Sequence, residues 1–81
     1  MQLFYVYILQ SDFNGKHFYV GRTEALRARL KKHNSGEVPH TAKFRPWQIK
    51  TAIAFTGPQQ AVEFERYLKT ASGRAFAKKR L

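Results

Sequence analysis

The 81-residue chain contains no cysteine. Disulfide staples are therefore excluded, as is a thiolate zinc site. Its 3 histidines are too few to suggest a structural metal. Long apolar runs are missing too: the longest, Leu3–Leu9, is far short of the ~20 residues a membrane-spanning helix needs. No basic segment precedes it, so it does not read as a signal peptide. Repeats, low-complexity tracts and linkers are absent. Acids are scarce, with 5 Asp+Glu against 15 Lys+Arg, a formal net charge of +10.

What is present is apolar and basic. A content of 43% hydrophobic and 15% aromatic residues is too rich for intrinsic disorder. The length predicts one domain over residues 1–81. Its core is small, because a chain of this size buries only about 60% of its unfolded surface. The cationic excess asks for a polyanion, and nucleic acid is favoured over an anionic membrane. The bland alternative is a solubilising charge on an ordinary small domain.

Apolar and turn patterning predicts the elements. Leu3–Leu9 reads as a strand apolar on both faces. Asn14-Gly15 signals a hairpin, and His17–Gly21 reads as the second, antiparallel strand. Thr23 is a plausible N-cap for a helix carrying Leu26 and Leu30 at i, i+4. Asn34-Ser35-Gly36 ends that helix. Glu37–Pro46, with two prolines and no periodicity, reads as a loop, and Trp47–Phe55 as a third strand. Pro58 opens a second helix with Ala61, Phe64, Leu68 and Ala71 on one face, ending near Ser72-Gly73. A short basic helix, Arg74–Arg80, closes the chain. The expected fold is α+β, a three-stranded antiparallel sheet flanked by helices in the order β-β-α-β-α-α.

The charge is uneven. Residues 22–33 hold Arg22, Arg27, Arg29, Lys31 and Lys32 against Glu24 alone, and residues 66–81 hold six basic residues and no acid. Most of these side chains suit solvated helix faces. As a set they suit a clamp on a phosphate backbone, and Arg22, Arg27, Lys32, Lys43, Arg45, Lys69, Arg74 and Lys78 are the candidate nucleic-acid contacts.

Three segments carry groups able to do chemistry. Tyr5 and Tyr7 share one strand face, and Tyr19 lies just before Gly21. Tyr5 reads as a core aromatic. Arg29 and His33, at i, i+4, occupy a helix row bordering Leu26 and Leu30, from which both can reach back to the sheet. Taken alone, the plainer reading is an arginine snorkelling over the core and a histidine capping the last turn. Among the acids, Glu65 borders the Ala61/Phe64/Leu68 stripe while Glu63 lies outside it. A carboxylate at a core edge in so cationic a chain is a candidate magnesium ligand, since Mg²⁺ is held by one or two carboxylates with water and phosphate completing the octahedron. The plainer reading is an i, i+4 pair of Glu65 with Lys69.

Together these residues resemble a known family. Tyr5-Val6-Tyr7, eleven residues, then Tyr19-Val20-Gly21 resembles the paired tripeptides of the GIY-YIG nuclease superfamily. Arg29, His33 and Glu65 follow in the matching order. LRARLKKHNSG, HTAKFRPW and FERYLKTASGRAFAKKRL are similar to small stand-alone members, which resemble the nuclease domain at the N-terminal end of an excinuclease ABC component. The resemblance covers nearly the whole chain. One departure is Tyr5 where the first tripeptide has Gly, and no appended DNA-recognition domain is expected within these residues.

The resemblance implies a cytoplasmic, metal-dependent endonuclease that hydrolyses DNA phosphodiesters in repair, recombination or processing, with one Mg²⁺ or Mn²⁺ on Glu65. It implies Tyr7 as general base, His33 as proton relay, Arg29 as phosphate holder, Tyr19 as orienter, and Gly21 as the point where the backbone turns closely. A phenol with an ordinary pKa near 10 then needs nearby positive charge to depress it, which Arg29 and the metal supply. Cutting both strands from one site favours a homodimer or two nicks. The competing readings are a non-catalytic nucleic-acid-binding module with the same fold and a protein-interaction domain.

Overall fold

The computed structural model describes residues 1–81. Its strands are β1 (Phe4–Ser11), β2 (Phe18–Thr23) and β3 (Trp47–Phe55). Its helices are α1 (Leu26–Ser35), α2 (Pro39–Ala42), α3 (Pro58–Leu68) and α4 (Ala71–Arg80). The strands form one antiparallel sheet in the order β2-β1-β3, so the expected α+β architecture is present. Between β1 and β2, Gly15 adopts φ 68° and its N–H donates to the Ser11 carbonyl at 2.8 Å.

Central β1 is apolar on both faces because both are covered. Val6 and Ile8 pack with Ala61 of α3 and Leu68, with Phe64 and Ala77 around them. Tyr7 and Leu9 face the other way, onto Trp47 and the half-buried Leu26, Leu30, Phe44 and Ile49. An irregularity in the β1–β3 ladder serves both cores. Ile8 pairs with Thr51 and Leu9 with Ile49, so Lys50 is an extra residue in β3. This bulge turns the alternation over. Trp47 and Ile49 join the α1 side, while Phe55 joins the α3–α4 side, where the Thr51 hydroxyl donates to the Leu81 carbonyl at 2.6 Å.

Helix boundaries depart from expectation in three places. Thr23 does not cap α1. Its Oγ1 accepts from the Ala25 N–H at 3.1 Å, in a turn ahead of the helix. Gly36 does end α1, at φ 87°. The segment expected as a loop holds the single-turn α2, opened by Pro39. Between α3 and α4 the chain breaks at Lys69-Thr70, not at Ser72-Gly73. Thr70 is the N-cap, its Oγ1 accepting from the Gly73 N–H at 3.1 Å. Ala71 thus begins α4 and is exposed rather than on the buried face of α3. Gly73 lies buried inside α4 because a Cβ there would collide with the Tyr67 carbonyl. No helix is long and apolar enough to cross a membrane.

Candidate active site

Tyr7 and His33 lie at the centre of the site, 1% and 0% exposed. The Tyr7 hydroxyl is 2.9 Å from His33 Nε2, and His33 Nδ1 is 2.8 Å from Thr41 Oγ1. Thr41 in turn donates to the Val38 carbonyl at 3.2 Å. A hydroxyl has one proton. With that proton on Val38, Thr41 accepts from His33 Nδ1–H, which leaves Nε2 unprotonated and accepting the phenol proton of Tyr7. The network thereby assigns the imidazole tautomer. The Trp47 indole N–H donates to the Thr41 carbonyl at 2.7 Å, anchoring α2 beneath the histidine.

Burial, reinforced by the Arg29 charge, holds the His33 imidazole below its ordinary pKa, so it is neutral near pH 7. Burial also pushes the Tyr7 phenol above its ordinary value, and the nearby Arg29 guanidinium offsets only part of this. The expected depression of Tyr7 is therefore reversed in the protein alone: desolvation outweighs the guanidinium. The same closeness to Tyr7 raises the Arg29 pKa. Arg29 does reach back from α1 to the sheet, and its Nε is buried without a partner, a donor whose desolvation costs about 1–3 kcal/mol.

Tyr19, on edge strand β2, lies with its ring centroid 4.8 Å from that of His33 and 6.3 Å from that of Tyr7. Gly21 pairs directly with Tyr7 across the ladder. A Cβ on Gly21 would collide with the Tyr7 hydroxyl, and its φ is not positive. Gly21 thus makes room for a phenol rather than a turn, which corrects the role expected for it.

Glu65 approaches from α3, its side chain 19% exposed, 3.4 Å from Arg22 and 3.2 Å from Lys69. Its charge acts on Tyr7 as well. Both cations are more exposed than Glu65, and such pairs add little stability. The plain i, i+4 pair is thus present, together with a cross-element partner. No group of three or more His or acid residues gathers as a metal cluster. A lone, partly exposed hard-oxygen donor does not suit zinc or a closed calcium cage. It suits Mg²⁺ or Mn²⁺ that draws its other ligands from water and a substrate phosphate.

The candidate nucleic-acid contacts separate into groups. Arg22 and Lys69 sit on Glu65. Lys69, Arg74 and Lys78 line one hollow beside β2 and α4, whereas Arg27 lines a shallower one with Tyr5 and Ile49. Lys32, Lys43 and Arg45 are exposed around the end of α1 and α2, Arg45 donating to the Ala42 carbonyl at 2.8 Å. Sequence reasoning missed Thr41 and the Trp47 indole. Their only signal was a hydroxyl and an indole bracketing the proline-bounded HTAKFRPW segment.

The sheet brings Tyr19 beside His33 at its edge strand, and the family this chain matches gives it a nuclease-type fold. The chain belongs to the GIY-YIG catalytic domain family, whose profile matches residues 3–80. Such domains are endonucleases in general, bind DNA and typically use a divalent metal. The chain is also similar to a solved structure, the solution NMR structure of the UPF0213 protein BH0048 from Bacillus halodurans. The two are 31% identical with a TM-score of 0.57, over 94% of this chain and 80% of that one. No curated protein matches.

Proposed function

We propose that this chain is a metal-dependent endonuclease hydrolysing DNA phosphodiester bonds with Tyr7, Tyr19, Arg29, His33 and Glu65. The observation that carries this reading is the one-way hydrogen-bond chain from Tyr7 through His33 to Thr41. In it Tyr7 accepts a proton from the attacking water while its own passes to His33 Nε2. No free phenolate accumulates, so a raised phenol pKa is no obstacle. The depressed imidazole pKa then returns the proton readily. Arg29 holds the phosphate and offsets the charge of the pentacovalent transition state. Tyr19 orients the water against the phosphate. Glu65 would hold one Mg²⁺ or Mn²⁺, which would supply charge neutralisation at the reacting phosphate. On this reading residues 1–81 are one nuclease domain, acting on cytoplasmic DNA in repair, recombination or processing. Duplexes are cut by two copies or two nicks.

The test is a panel of single-stranded, duplex and branched DNA with Mg²⁺, Mn²⁺ or EDTA. Cleavage is expected with metal only, and is lost in Glu65→Ala and Arg29→Ala. If nothing is cut, or both variants cut like the unaltered chain, the reading fails. A second reading is favoured by the two cations already on Glu65: a non-catalytic module that binds DNA in EDTA, weakly at high salt, without cleavage.

A further inference from the structure

Between β2 and α4 lies a hollow of about 710 Å³. Val20 and Leu68 contribute apolar walls, and Phe18 stands beside them on the edge strand, 53% exposed. Lys50, Lys69, Arg74 and Lys78 surround it, and no acid is among its 10 lining residues. Lys50 is the extra residue of the β3 bulge. An apolar slot, an exposed aromatic ring and a ring of cations, of which only Lys69 has an acidic partner, together mark a surface suited to an anionic, apolar-faced ligand. Exposed apolar area is costly unless something covers it.

We infer that this hollow receives the base of an unpaired nucleotide next to the cleavage point, so that the substrate carries a single-stranded segment. The inference rests on the nuclease reading for its place in a reaction, and deepens it by naming the substrate class. Two contacts tie the hollow to the candidate site. Tyr19 lines it while its ring packs near His33, and Lys69 lines it while pairing with Glu65. A strand crossing Glu65 thus continues directly into it. The charge is complementary to the strand, since Lys69, Arg74 and Lys78 can each take a phosphate. The slot and Phe18 accept a base face, which every base presents, so the site tolerates any sequence. A paired, stacked base has no free face to offer, which excludes intact duplex from this site.

The experiment is fluorescence anisotropy of the full chain in EDTA. The probes are a labelled thymidine single strand, a blunt duplex of equal length, and a single strand of abasic residues. The thymidine strand is expected to bind about tenfold more tightly than the other two. Phe18→Ala is expected to weaken thymidine-strand binding about tenfold while leaving duplex and abasic binding unchanged, and Phe18→Trp to restore it. Equal affinity for the thymidine and abasic strands on the unaltered protein overturns the inference, whatever the variants do. So does a Phe18→Ala effect equal on all probes. Loss of binding to phosphatidylglycerol vesicles in Phe18→Ala, with oligonucleotide binding unchanged, assigns the hollow to lipid and also overturns it. These measurements need no metal. Absence of cleavage with this pattern intact refutes the nuclease reading alone, and cleavage without the pattern refutes the hollow's role alone.

Discussion

The two sides of the sheet treat their polar groups in opposite ways. On the α1 side, Tyr7, His33 and Thr41 are buried, hydrogen-bonded in one direction and walled by Leu26, Leu30 and Trp47. On the α3–α4 side, Glu65 is half-buried and shared between two more exposed cations. Handling a proton needs fixed donors and acceptors in a dry setting, where each bond is strong and an unmade one is costly. Receiving a phosphate and an ion needs the reverse, ligands that release their current partners cheaply. On the nuclease reading proposed above, the sheet separates the two demands, with the edge strand that carries Tyr19 and Gly21 between them.

The sharpest way to break this comparison is to remove one group from each side. Tyr7→Phe and Glu65→Gln are each expected to lower cleavage by about 10²–10⁴-fold, the range for lost acid–base or charge assistance. Their stabilities should diverge. Tyr7→Phe leaves His33 Nε2 without a donor and costs about 1–2 kcal/mol in urea unfolding, whereas Glu65→Gln stays within about 0.5 kcal/mol. Equal stabilities for the two variants would remove the distinction. Gly21→Ala comes next. Its methyl drives into Tyr7, at a cost of about 1–3 kcal/mol, and its cleavage should fall although the residue has no side chain to do chemistry.

Thr41→Val keeps the shape and deletes the hydroxyl. The buried His33 Nδ1–H then lacks an acceptor, costing about 1–2 kcal/mol, and nitrogen NMR should show the ring leaving its single tautomer. A ring still protonated solely on Nδ1 would refute the assignment. The smallest effect is on pH dependence. His33 titrates lower folded than unfolded, so the unfolded chain binds more protons. Its share of stability is full above about pH 6.5 and is lost as pH falls through that value toward the folded pKa. Urea midpoints should fall with acidification in the unaltered chain and in Glu65→Gln, and His33→Gln should flatten that part of the slope.

Much of this was legible in residue order. Alternation and β-branched content marked three strands, Asn14-Gly15 the first reversal, Gly36 the end of α1, and i, i+4 spacing placed Arg29 and His33 toward the sheet. What stayed hidden depends on through-space packing. Gly73 read as a helix stop because glycine often is one, yet its reason is a neighbouring backbone. Thr41 had no periodic context, and its value comes from a histidine that tertiary packing brings to it. The rise of the Tyr7 phenol in the protein alone was hidden because charge is visible in a sequence and desolvation is not.

Gly73 has one more consequence. Where α4 crosses the end of α3, nothing stands between its backbone and the Tyr67 carbonyl, so the angle between the helices is set by a single hydrogen atom. Arg74 and Lys78 follow directly along α4. A larger residue at the crossing would meet that carbonyl and displace α4, carrying Arg74 and Lys78 with it. If the cleft they border receives a strand, as inferred above, its shape is then adjustable from a position that touches neither ligand nor chemistry, with the tyrosine and histidine left as they are.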